Sequence, residues 1–91
     1  MTQCSKEVLI RNRLGLHARA AVKLVELAQS FDAEVTISKA EQAVTADSVM
    51  AILLLDSSQG EQITVSALGP EAKKALGAVT ALIEAGFDEE N

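Results

Sequence analysis

The heptapeptide QITVSAL, Gln62–Leu68, decides the fold. Ile63, Val65 and Ala67 alternate with Thr64 and Ser66, the period of a strand with one face on a core and the other in water. A sheet that is wet on one face is ordinarily antiparallel, and its helices must then all cover the opposite face. The same alternation recurs at residues 33–39, AEVTISK, with Ala33, Val35 and Ile37 inward and Glu34, Thr36 and Ser38 outward. Residues 6–12, KEVLIRN, set Val8 and Ile10 against Glu7 and Arg11, with Leu9 out of pattern. QAVTA at 42–46 reads as a short edge strand.

Three segments carry the helical period instead. Over residues 18–30, Ala21, Leu24, Val25 and Ala28 share one face, and Lys23, Glu26 and Ser30 share the other. Over residues 69–87, Ala72, Ala75, Leu76, Val79 and Ile83 form the buried stripe. Pro70 suits the first helical position and Glu71 complements the dipole. Gly86 fits the left-handed position after the helix, which lets Phe87 fold back onto the last turn. A third, short helix spans about 48–54, with Asp47 or Ser48 as its cap. The order is β-α-β-β-α-β-α: an α+β open-faced sandwich, a single domain over 1–91.

Composition bounds what this domain does. The chain has 91 residues and a net charge of −5, from 13 acidic and 8 basic residues, with no basic run. That balance, with Phe31 and Phe87 the only aromatics, argues against nucleic acid as a partner. Cys4 is alone, so no internal disulfide forms, and it is read as a free thiol in a polar N-terminal stub. The start, MTQCSKEV, has no apolar signal region, and the longest apolar run, residues 49–55, is too short for a bilayer. A cytoplasmic location without membrane association is expected.

The chemistry centres on NRLGLHARAA, residues 12–21, which holds the single histidine. A lone histidine near a helix start is more often a cap or a surface residue than a catalyst. Its neighbours weigh against that. Gly15 permits close backbone approach, the helix start offers unpaired amides, and Arg19 adds a permanent cation. No acidic residue lies between Glu7 and Glu26. Positive surroundings disfavour the imidazolium of His17 and leave neutral imidazole, a nucleophile. They also suit an anion, since a helix N-terminus plus arginine is a phosphate site. The combination suggests a ring that takes a phosphoryl group, holds it on nitrogen and passes it on. No second histidine, metal-ligand spacing or P-loop signature accompanies it, and no cofactor is expected.

NRLGLHARAA closely resembles the active-site segment of the HPr phosphocarriers of the bacterial phosphoenolpyruvate phosphotransferase system. ADSVMAILLL resembles their second helix, and the likeness covers essentially the whole chain. FDAEV, LLLDSSQGEQITVSALGP and IEAGFDEE look more like the nitrogen-related (NPr) branch than the sugar branch. The resemblance implies a four-stranded sheet of order 1-4-2-3 with three helices on one face. It implies that His17 accepts the phosphoryl group on Nδ1 from an enzyme I charged by phosphoenolpyruvate, and that an enzyme IIA protein takes it onward. Arg19 would stabilise the phosphate, within a cradle of Gly15, Ala18, Arg19 and Ala20. Ala20 departs from the proline common among relatives, a change compatible with a helix start. Ser48 matches a position that some relatives phosphorylate for regulation, although a cap is wanted there in any case. A partner surface is expected over Val22, Glu26, Ser48, Val49 and Leu53, with both of the first two helices starting near His17. Monomer is the simplest state. The rivals are a sugar-branch HPr, an unphosphorylated regulatory module of the same fold, and a small-molecule sensor, which would need a polar pocket.

Overall fold

The computed structural model describes residues 3–88. The first two residues of the polar start and residues 89–91, which include the end of the IEAGFDEE tail, lie outside them. Four strands, β1 (Gln3–Leu9), β2 (Glu34–Lys39), β3 (Gln42–Thr45) and β4 (Gln62–Leu68), form one antiparallel sheet of order β1-β4-β2-β3. The alternation that predicts this sheet is realised: Val35, Ile37, Ile63, Val65 and Ala67 are buried. On the opposite face the register lines up a row of hydroxyls, Ser5–Ser66–Thr36–Thr45, one from each strand.

β1 begins earlier than the sequence pattern indicates. Cys4 lies within it, opposite Ala67 and packed against the core, so it is not part of a loose stub. The pattern is masked by Lys6, which shares a face with Cys4 and Val8 yet is exposed. From this edge strand its ammonium reaches Glu84 Oε1 at 3.3 Å. The pairing outlasts the strand: Ile10 N–H donates to the Glu61 carbonyl at 2.9 Å and Gly60 N–H to the Ile10 carbonyl at 2.8 Å.

The helices are α1 (Ala18–Gln29), α2 (Val49–Leu54) and α3 (Ala72–Glu84). Small residues let α1 lie close: Ala20, Ala21, Leu24 and Ala28 are buried, while Val25 is half-buried at the margin of the stripe. α3 packs on β1 and β4 through Ala72, Ala75, Val79 and Ile83. Thr80, polar in sequence, is also buried there, because its hydroxyl donates to the Leu76 carbonyl at 2.7 Å. Pro70 stands ahead of α3 rather than in its first turn. Glu71 occupies the N-cap, and its side chain instead accepts from Asp32 N–H at 2.7 Å, tying the helix start to the end of α1's loop. Past α3, Gly86 is left-handed (φ 68°) and Phe87 is fully buried, as the sequence predicts.

α1 and α2 run in opposite directions. Gln29, at the end of α1, donates to the Ala46 carbonyl just ahead of α2 at 3.5 Å. Leu16 N–H, just ahead of α1, donates to the Ser57 carbonyl just past α2 at 2.9 Å. The expectation that both helices start near His17 is therefore corrected: the end of α2 adjoins the His17 turn, and Ser48 sits toward the far end of α1.

Candidate functional site

The turn that presents His17 is built by two glycine and asparagine contacts. Gly15 N–H donates to the Asn12 carbonyl at 3.1 Å, and Asn12 Nδ2 donates to the Gly15 carbonyl at 2.7 Å. Gly15 is left-handed (φ 66°), and a Cβ there would collide with the Ser57 carbonyl oxygen. The glycine thus lets the segment past α2 press directly on the turn. Leu16 then plugs into the core while Leu14 is turned outward, 64% exposed.

His17 follows in extended conformation (φ −79°, ψ 179°) as the N-cap of α1, and its side chain makes no cap hydrogen bond. The first bond of the helical ladder runs from Ala21 N–H to the His17 carbonyl at 2.8 Å. The amides of Ala18, Arg19 and Ala20 lie ahead of that ladder, at the positive end of the helix dipole. Its first turn contains no acidic residue. Arg19 is exposed, two residues from the ring. The ring itself is half-buried. Of the cradle residues named from sequence, Ala18, Arg19 and Ala20 bring amides to the site. Gly15 contributes shape, because its amide is already bonded within the turn.

α2 supplies the apolar surroundings, with a different face outward than expected. Ser48 is the N-cap, its Oγ accepting from Ala51 N–H at 3.2 Å. Ile52 is buried, and Val49 and Leu53 pack against the core, half-buried. Met50 (63% exposed) and Leu54 (72%) face outward instead. On α1, Val22 and Glu26 are exposed, as expected. Leu14 is thus the residue that sequence reasoning passes over, and Met50 and Leu54 stand out in sequence only as members of an all-apolar segment. A helix of six apolar residues has no polar side to reveal its outward face, so only packing decides it.

The turn at 58–61 closes against Ile10 from the other side. Glu61 accepts from Ser58 N–H at 2.6 Å and pairs with Lys39 Nζ at 3.3 Å. The Ser58 hydrogen bond first, and Lys39 second, hold its carboxyl below the ordinary carboxylate range. A cavity of about 420 Å³ lies elsewhere, at the far end of α1, bordered by Ala28, Phe31, Ala46, Asp47, Gly69 and Pro70. None of the site residues named above lines it. Among the described residues, no helix is long and apolar enough to cross a membrane, and no cluster of three metal-ligating side chains occurs.

The chain is similar to known proteins in sequence and in fold. Residues 4–85 match the family described as "PTS HPr component phosphorylation site". The chain is 54% identical over 84 residues to phosphocarrier protein NPr of Escherichia coli K12, covering 91% of this chain and 93% of that one. It is 48% identical over 89 residues to the NPr of Shewanella violacea, covering 98% of each. The crystal structure of HPr from Thermoanaerobacter tengcongensis superposes with a TM-score of 0.89 at 36% identity, each chain covered completely.

Proposed function

The chain belongs to the HPr family of the phosphotransferase system, and from that membership we propose the route a phosphoryl group takes through it. The protein is a phosphocarrier of the nitrogen-related branch, in keeping with its NPr relatives. The sugar-branch and unphosphorylated alternatives are not favoured. An enzyme I charged by phosphoenolpyruvate is the donor, an enzyme IIA protein the acceptor, and the exchange takes place in the cytoplasm with the carrier as a monomer.

His17 is the acceptor atom's residue. A ring-nitrogen lone pair, at Nδ1 by family likeness, attacks phosphorus. The bond from phosphorus to the donor breaks, and its electron pair stays with the donor. In the second transfer a nucleophile of the enzyme IIA protein attacks the same phosphorus, and the P–N bond electrons return to His17. The observation that carries this reading is the start of α1: an imidazole at the N-cap that makes no cap bond, followed by three amides ahead of the ladder and by Arg19. A phosphoryl group there meets N–H donors and a guanidinium, whose charge-assisted bonds offset its negative charge. Because the site is exposed to water, that stabilisation stays moderate and the group can leave again.

Nothing in this chemistry requires the carrier to bind a small molecule. The exposed Leu14, Val22, Met50 and Leu54 instead suit transient docking of a protein, with apolar groups at the centre and polar ones such as Glu26 at the rim. Ser48 remains a candidate for regulation: a phosphate on it would place about two negative charges at the start of α2.

Intact-mass measurement after incubation with phosphoenolpyruvate and enzyme I tests the assignment. One phosphoryl group is expected, labile to acid and stable to base, as a phosphoramidate is. His17→Ala should fold normally and take none. Labelling that persists in His17→Ala would overturn the assignment.

A further inference from the structure

Asn12 is fully buried, yet in the sequence it is a polar residue at the end of a strand pattern, between two arginines. Burying a primary amide is destabilising, so such a residue is best accounted for where it fixes a geometry. The geometry it fixes is that of Gly15, which it holds from both sides: backbone carbonyl to Gly15 N–H, and side-chain Nδ2 to the Gly15 carbonyl. Arg13 and Leu14, the residues between, are exposed and bring little packing to the turn. Gly15 itself has no side chain to pack, although its backbone lies against the Ser57 carbonyl.

Asn12 is in turn backed by the C-terminal turn. Gly86 lies against Asn12, close enough that a Cβ on the glycine would stand 3.5 Å from the Asn12 Cβ. That turn is held by α1 itself, because Lys23 Nζ donates to the Phe87 carbonyl at 2.8 Å. The helix that begins at His17 thus grips the segment that covers Asn12, and Asn12 grips the turn that leads into His17. Buried hydrogen bonds of this kind are strengthened by the low local dielectric and give a single arrangement rather than several.

We infer that Asn12 is a positioning residue for phosphoryl transfer, acting through the Gly15 carbonyl to fix where the His17 ring stands relative to the amides of Ala18, Arg19 and Ala20. The inference rests on the phosphocarrier reading of His17. Small displacements of a reacting group can slow transfer on the order of 10- to 100-fold.

The test compares Asn12→Ala with Val35→Ala, a buried substitution at the other end of α1 beside the cavity there. Both variants lose stability, so initial rates of labelling by phosphoenolpyruvate and enzyme I are measured well below each Tm and at saturating donor. Asn12→Ala is expected to lose about 10- to 100-fold in kcat with little change in KM. Its Gly15 and Leu16 amide resonances should move, whereas Val35→Ala should keep the wild-type rate and those two resonances. Asn12→Ser, which keeps a polar group too short to reach the Gly15 carbonyl, gives the same comparison should Asn12→Ala not fold. A folded Asn12 variant transferring at the wild-type rate overturns the inference, as does an equal loss of rate in Val35→Ala. Absence of labelling in the wild-type protein would instead strike the phosphocarrier reading on which the inference stands.

Discussion

The two ends of α1 are finished in different ways, with His17 as the N-cap and Ser30 as the C-cap. At its C-terminal end the Leu27 and Ala28 carbonyls are capped. The Ser30 hydroxyl donates to the Leu27 carbonyl at 2.6 Å, the Ser30 N–H serves the last carbonyls, and the neighbouring start of α2 is sealed by Ser48. At its N-terminal end the cap residue makes no side-chain cap bond, and three amides precede the ladder. A cavity lies beside the closed end, while apolar side chains stand out near the open one. Closure supplies stability; the open helix start, with an imidazole and a guanidinium, is where the proposed chemistry would take place. A carrier that hands a group from one protein to another needs an accessible reacting atom and a surface to dock on, rather than an enclosed pocket.

Substitutions can break this contrast at the open end. On the proposed reading, Arg19→Ala would remove a charge-assisted bond to the phosphoryl group, worth roughly 1.5–3 kcal/mol. Transfer should slow by about 10- to 100-fold in at least one direction, read by rapid-quench labelling with each partner. Unchanged rates in both directions would make Arg19 a bystander. Next in size, Leu54→Glu places a carboxylate on the exposed apolar surface past the middle of α2. Docking of enzyme I should weaken by about 1–2 kcal/mol, seen as a raised KM with an unaltered Tm. An unaltered KM would locate docking on another face.

The closed end should respond in the other currency. Ser48→Ala removes the hydroxyl cap of α2 and should lower stability by about 1 kcal/mol, measured by urea unfolding. Its transfer rates should match wild type, because Ser48 lies toward the far end of α1 from His17. A slowed transfer would merge the two ends functionally. The smallest effect is expected at Glu61. Its carboxyl lies below the ordinary value of 4.5 in the folded state, so its stabilisation is present above that value and disappears as pH falls through the folded pKa. Glu61→Gln should therefore flatten the acid side of the stability profile slightly, below about pH 4.5, and leave the neutral side parallel to wild type. An identical acid slope in the variant would show that Ser58 and Lys39 do not hold the carboxylate in solution.

Alternation and helical period are local properties, written once per residue, and they determined the architecture here. Ile63, Val65 and Ala67 place β4 inward wherever it lies in the sheet, and the pattern at Ala72, Ala75, Val79 and Ile83 allows only a one-sided helix. His17, Arg19 and the lack of nearby acids were equally legible, since charge and residue type need no coordinates. Lys6 hid the first part of β1 because an edge strand tolerates a lysine whose ammonium swings to Glu84, a neighbour 78 positions away. In α2 the sequence offered six apolar residues, and only the sheet and α1 packed around them select Met50 and Leu54 for water and Val49 and Leu53 for the core. The direction of α2 relative to α1 was likewise open until the Leu16–Ser57 and Gln29–Ala46 bonds fixed it. Asn12 is the furthest case: its place under the His17 turn depends on Gly86 arriving from the other end of the chain. Local patterns record which face of an element is buried; which elements meet, and which polar group is caught between them, is decided by long-range packing.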